Sequence, residues 1–173
     1  NEAVEAINRA EKPVIYAGGG VNISQASRQL VAFAEKIKAP VTCSLMGMGA
    51  FPSSHPYFMG MVGMHGTRFS NYAVSNCDVL IAVGARFSDR VVSKVEKFAP
   101  NATIIHIDID PAEIGKNVNT HIPVCGDVKK ILEKLMDMVD EKAPNGWNKQ
   151  IEEWKKAHPV KSRPAKGKLT PQF

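Results

Sequence analysis

The sequence has no apolar run long enough to span a bilayer, so no transmembrane helix is expected. Its three cysteines, Cys43, Cys77 and Cys125, stand far apart with no C-x-x-C pair and no companion histidine cluster. That spacing argues against metal and redox roles, and each thiol is read as a small buried hydrophobe beside an apolar strand. A basic leader followed by an apolar stretch is also missing, because the chain opens with the acidic, helical run Asn1-Glu-Ala-Val-Glu-Ala-Ile7. The expected location is the cytoplasm. With no initiating Met and a start in mid-helix, the chain reads as an excised piece of a longer protein.

What remains is ordinary globular composition. At 173 residues, with 44% hydrophobic and 23% charged, the chain can bury one full core. The net charge of +5 belongs to the end of the chain: from residue 142 onward, eight Lys or Arg stand against Glu152 and Glu153. The first 141 residues carry 14 basic and 15 acidic side chains, a net −1. The basic tail holds Pro144, Pro159, Pro164 and Pro171, a short helical patch with Trp147, Ile151 and Trp154, and no interleaved aromatics of the kind that stack bases. It reads as a linker wrapping onto a neighbouring domain. Neither nucleic acid nor membrane is an expected partner.

Along the chain, strand-like and helix-like segments alternate. Residues 1 to 11 read as a helix, and Pro13-Val-Ile-Tyr-Ala17 as a strand emptying into Gly18-Gly19-Gly20. Ser24 is placed to cap a helix with Ala26, Leu30, Ala34 and Ile37 on one face. Further strands are expected at Pro40 to Ser44, Tyr57 to Val62, Asp78 to Val83, Thr103 to Ile107 and Ile122 to Cys125. Helices are expected from His65-Gly66 to Asn76, around Val91 to Phe98, and at Ala112 to Lys116. Another begins at Asp127, with Val128, Ile131, Leu132, Leu135 and Val139 facing inward. The pattern predicts an α/β fold: a doubly wound, mainly parallel sheet of Rossmann-like type.

Ligands of such sheets bind at the carboxyl ends of the strands. There Gly18, Gly19 and Gly20 can bring backbone N–H groups close to an anion, although a plain tight turn is an equal reading and the spaced GxGxxG fingerprint is absent. Met64-His65-Gly66-Thr67 offers more backbone donors and a thioether for a flat ring; a lone His there is as readily structural. Gly84-Ala-Arg-Phe-Ser-Asp-Arg90 places two arginines and an aspartate where they can clamp a diphosphate or carboxylate, or form an ion pair that ties down the loop. Asp108 and Asp110 stand where acidic residues accept bonds from ribose hydroxyls, and Gly126-Asp127 where backbone groups meet an adenine edge. Helix N-capping is the alternative for Asp110 and Asp127.

Taken in order, GGG, SLMGMG, VGMHGT with SNYAV, DVLIAVGARFSDRV, HIDIDPAEIGKN and VCGDV resemble the central domain of acetolactate synthase (acetohydroxyacid synthase) large subunits, from about residue 4 to 140. The resemblance implies a six-stranded sheet like that of sirtuins and deoxyhypusine synthase, with FAD bound to it. It also implies flanking domains that hold thiamine diphosphate and Mg²⁺. Residues 1–141 would be the cofactor domain, and 142–173, ending Leu169-Thr-Pro-Gln-Phe173, the linker and first residues of the next domain. Carried over by position, the FAD contacts would be Gly18, Gly19 and Gly20; Ser44, Leu45 and Met46; Gly63, Met64, His65 and Gly66; Gly84, Ala85 and Arg86; Arg90; Asp108 and Ile109; and Gly126, Asp127 and Val128. Arg90 would also border the substrate channel and receive the carboxylate of the second 2-oxo acid. The common RFDDR reads Arg86-Phe-Ser-Asp-Arg90 here, so Ser88 removes one carboxylate.

The implied reaction joins a two-carbon unit from pyruvate to a second 2-oxo acid in branched-chain amino acid biosynthesis, with FAD structural. The implied assembly is a homo-oligomer of large subunits with a regulatory small subunit. No GDG with its Asn-containing Mg²⁺ segment and no activating glutamate is found in the sequence, so no catalytic or metal-ligating residue is assigned and the chain alone is expected to be inactive. The other readings are a sibling thiamine enzyme, either an oxidase or a decarboxylase; a sirtuin-like NAD enzyme, excluded by the cysteine spacing; and a non-catalytic interaction domain.

Overall fold

The computed structural model describes residues 1–92 and 94–160. Six strands, β1 (Pro13–Ala17), β2 (Val41–Cys43), β3 (Phe58–Met61), β4 (Val79–Val83), β5 (Thr103–Asp108) and β6 (Ile122–Cys125), form one sheet in the order β3-β2-β1-β4-β5-β6. All five neighbouring pairs are parallel, as the apolar runs of β1 and β4 require: both strands are buried along their whole length because both sheet faces are covered. The order reverses direction between β1 and β4, whose register pairs Ala17 with Val83, so the loops leaving these two strands diverge and leave a crevice between them.

Alternate residues of each strand feed two cores. Ile15, Ala17, Ile81, Ile105 and Ile107 pack with residues of α1 (Glu2–Arg9), α3 (Ser27–Ile37) and α5 (Val128–Met138). Val14, Tyr16, Leu80, Ala82 and Ile104 pack with α4 (Arg68–Asn76) and α6 (Gly146–Ala157). Leu30, Ala34 and Ile37 face the first core at helical spacing, joined by Phe33. In α5, Val128, Leu132 and Leu135 are buried, and Asp127 caps the helix by accepting from Lys130 N–H at 3.0 Å. The Trp147 indole donates to the Pro13 carbonyl at 3.2 Å, and with Ile151 it seats α6 on the sheet. The tail's helical patch therefore packs on this chain's own core. Its last basic residues, Lys161 to Lys168, and Leu169 to Phe173 lie outside the described residues.

Five expectations are corrected. Ser24 does not cap α3: it ends the short helix α2 (Gly19–Ile23), its hydroxyl donating back to Gly20 O at 2.8 Å, and Gln25 at φ 52° breaks the chain before α3 starts. Among the described residues around Val91 to Phe98 the one helical element is a 3₁₀ turn at Val95–Lys97, and Ala112 to Lys116 is a run of turns. The fourth helix begins at Arg68, not at His65-Gly66, because Thr67 caps it through Ser70 N–H at 3.1 Å. Cys125 is exposed, since β6 is an edge strand with alternate residues turned outward, while Cys43 and Cys77 are buried as expected.

Candidate functional site

A cleft of about 1100 Å³ opens over the carboxyl ends of the strands, at the reversal between β1 and β4. Ligand clefts of proteins run to about 1,000 Å³, so this one is at the large end of that range. Its walls bring together Gly19, Gly20, Ser44, Leu45, Met46, His65, Gly84, Arg86, Arg90, Asp108, Ile109, Asp127 and Val128. These thirteen residues were singled out in sequence, and they come from six separate loops. The lining also includes Tyr16, Ile23, Ser24, Met61, Val62, Ser88, Val91 and Asp110.

Gly18, Gly63, Met64, Gly66, Ala85 and Gly126 are not among the lining residues. The reason at Gly18 is tight packing: a β-carbon there would lie 2.1 Å from the Gly84 carbonyl oxygen, so the β1 and β4 exit loops can meet only through glycine. Gly18 N–H donates to Val83 O and Gly20 N–H to Gly84 O, both at 2.9 Å, so two of the triplet's three donors already have protein partners. The 63–67 segment is similar. Met64 N–H donates to Arg90 O, Gly66 N–H to Gly63 O and Thr67 N–H to Met61 O, which uses three of the four backbone donors that Met64 to Thr67 offered to a ligand. Met64's side chain is exposed, and Ala85 is buried. His65 is the member of this segment that reaches the cleft.

The charged groups have distinct surroundings. Arg86 Nε lies 3.6 Å from Glu113 Oε2, and Glu113 Oε1 takes Lys116 Nζ at 2.9 Å. Arg90 Nε is 3.7 Å from Asp89 of the adjacent residue, with both side chains exposed; such a pair is weak and ties no distant loop. Asp108 Oδ1 accepts from Asp110 N–H at 3.0 Å, and Asp110 Oδ1 from Ala112 N–H at 2.9 Å, which makes Asp110 a turn former with no helix to cap. Asp127 both caps α5 and borders the cleft.

On the cleft floor, burial raises the Tyr16 phenol well above its ordinary value, against a smaller lowering by a hydrogen bond with Ser44. Among the described residues no group of three or more His, Cys, Asp or Glu could hold a metal ion, and no helix is long and apolar enough to cross a membrane.

The sequence matches known proteins. Residues 1–135 match the family described as thiamine pyrophosphate enzyme, central domain. The chain belongs to this family. Within it, a "Probable acetolactate synthase large subunit" of Methanocaldococcus jannaschii is 54% identical over 158 residues, covering 90% of this chain and 27% of that protein. The acetolactate synthase large subunit of Buchnera aphidicola subsp. Schizaphis graminum is 42% identical over 99% of this chain and 31% of its own length. The isozyme 3 large subunit of Escherichia coli is 40% identical over 98% of this chain and 31% of its own length. This central domain thus spans less than a third of the curated relatives it matches.

Proposed function

We propose that this chain is the FAD-holding central domain of an acetolactate synthase large subunit. The single observation that carries the reading is the junction of glycine-tight loops, arginines and aspartates around one cleft at the β1/β4 reversal. The fit is chemical as well as spatial. The Asp108 and Asp110 side chains suit ribose hydroxyls, Arg86 and the backbone N–H of Gly19 suit a diphosphate, and Met46 and Met61, with the His65 ring beside them, offer a bed for a flat ring. FAD would supply structure and not electrons to the reaction.

In the whole protein, α6 would belong to this domain, and the chain after it would lead into a domain that binds thiamine diphosphate and Mg²⁺. The substrates would be pyruvate and a second 2-oxo acid, whose carboxylate Arg90, exposed at the cleft edge, is free to receive. The setting would be cytoplasmic, in a homo-oligomer with a regulatory small subunit. The chain alone would make no acetolactate.

The test is a titration of FAD with the purified chain, followed by flavin fluorescence, with ADP as competitor. Saturable binding that ADP reverses supports the reading. A folded chain that leaves flavin fluorescence unchanged would sink it for this domain, and binding of ADP without FAD would favour a sibling thiamine enzyme that uses a simpler nucleotide.

A further inference from the structure

The segment leaving β4 has two faces. Gly84, Arg86, Ser88 and Arg90 line the cleft, while Ala85 and Phe87 between them are buried at 1% and 4% exposure. The carbonyls on this segment are held in an unusual way. His106 Nε2 lies 2.9 Å from Ala85 O, the Tyr16 hydroxyl donates to Arg86 O at 3.1 Å, and Asn117 Nδ2 donates to Phe87 O at 2.8 Å. Three consecutive carbonyls are thus held by side chains from β5, from β1 and from the loop between β5 and β6. The Phe87 ring packs against two of the donors, its centroid 5.7 Å from that of Tyr16 and 5.1 Å from that of His106.

The protonation of His106 follows from its partner. A carbonyl only accepts, so Nε2 carries the proton and Nδ1 is a bare acceptor. Nδ1 is buried and without a partner among the described residues. A buried polar atom left unpaired is unfavourable, and an apolar residue in the same place would avoid that cost. The donor at Nε2 therefore acts on the loop at some expense to the core. Surface loops ordinarily leave such carbonyls to water.

We propose that Tyr16, His106 and Asn117 are positioning residues that fix the backbone of residues 85–87, and so set where Arg86 and Ser88 stand in the cleft. The role in ligand binding rests on the reading of the cleft as a dinucleotide site. None of the three touches the ligand in this scheme except Tyr16, whose ring also borders the cleft floor.

The test uses the 173-residue chain with Tyr16→Phe, His106→Leu and Asn117→Ala, and with His106→Gln, whose amide can restore a donor near the Nε2 position. FAD affinity, amide hydrogen exchange over residues 84–90 and the thermal midpoint are measured for each. Loss of one such bond is expected to weaken FAD binding about five-fold and to speed exchange at 84–90, with His106→Gln recovering most of the loss. Unchanged affinity and exchange in all three would overturn the proposal. So would losses that merely follow the thermal midpoint, with His106→Gln no better than His106→Leu. Should the parent chain bind no FAD while the variants still speed exchange at 84–90 without lowering the midpoint, the cofactor reading fails and the positioning of the loop stands.

Discussion

Gly63 and Arg90 hold two edges of the cleft together: Met64 N–H donates to Arg90 O at 2.9 Å, and a β-carbon built on Gly63 would lie only 2.4 Å from that oxygen. Asn71 braces the same glycine from both sides, accepting from its N–H at 2.9 Å and donating to its carbonyl at 3.1 Å. Gly63 also has φ +98°, a conformation that an L side chain rarely adopts. Gly63→Ala should therefore cost about 2–3 kcal/mol by strain and clash together, and should push the Arg90 segment outward. Denaturant unfolding reads the first effect and FAD affinity the second. A variant within experimental error of the parent in both would show that the two loops are not in contact.

A second pair of glycines separates clash from backbone strain. At Gly47 an added β-carbon would meet Ala17 O at 2.2 Å, whereas at Gly49, with φ +87°, it would meet nothing within 4 Å. Gly49→Ala should cost about 1 kcal/mol from its left-handed backbone alone. Gly47→Ala has to move the β1 exit loop and should cost more, about 2–4 kcal/mol. The order of the two midpoints in urea unfolding is the measurement, and a reversed order would contradict the packing of the loop after β2 on β1.

How much of this was visible in the sequence depends on the range of the interactions. β4 was legible because a strand buried on both faces must be continuously apolar, β5 because three of its six residues are isoleucine, and α5 because its cap and its inward stripe lie within one stretch. The break at Gln25 was not legible, since φ 52° there falls on a residue that carries no turn signal. In the site, loop ends were found because small and charged residues follow apolar runs. Tyr16 was missed because within a buried strand it reads as core, and its hydroxyl matters only once the chain 70 residues later lies beside it. Ser88 does carry a signal that was available: from 84 to 88 cleft-facing Gly84, Arg86 and Ser88 alternate with buried Ala85 and Phe87, a period of two that marks one face toward solvent or ligand.

The thiols give a direct test of the burial pattern. Burial pushes the Cys43 and Cys77 thiols up to about 12, so neither is a thiolate near neutral pH, and both are enclosed; Cys125 is exposed. In the native chain a thiol reagent should modify Cys125 alone, with all three reacting after denaturation. Rapid native reaction of more than one thiol would mean that the β1–β2 or α4–β4 packing opens readily.

His106 should make the fold sensitive to mild acid. Burial holds its pKa below the ordinary 6.5, with the hydrogen bond to Ala85 O and the charges of Asp108 and Glu113 opposing that shift more weakly. The folded chain thus keeps a neutral ring at a pH where the unfolded chain already takes a proton. Where the unfolded state binds more protons, stability rises with pH. The contribution of His106 is therefore fully present above 6.5 and is lost as pH falls below that value toward the folded pKa. The midpoint of urea unfolding should drop between about pH 7 and about pH 5, above the range in which ordinary carboxylates titrate. His106→Leu has no ring to protonate, so its midpoint should change less over the same interval. Equal slopes for the two chains would show that the acid sensitivity arises elsewhere and that the imidazole is more open to water than its position under Phe87 requires.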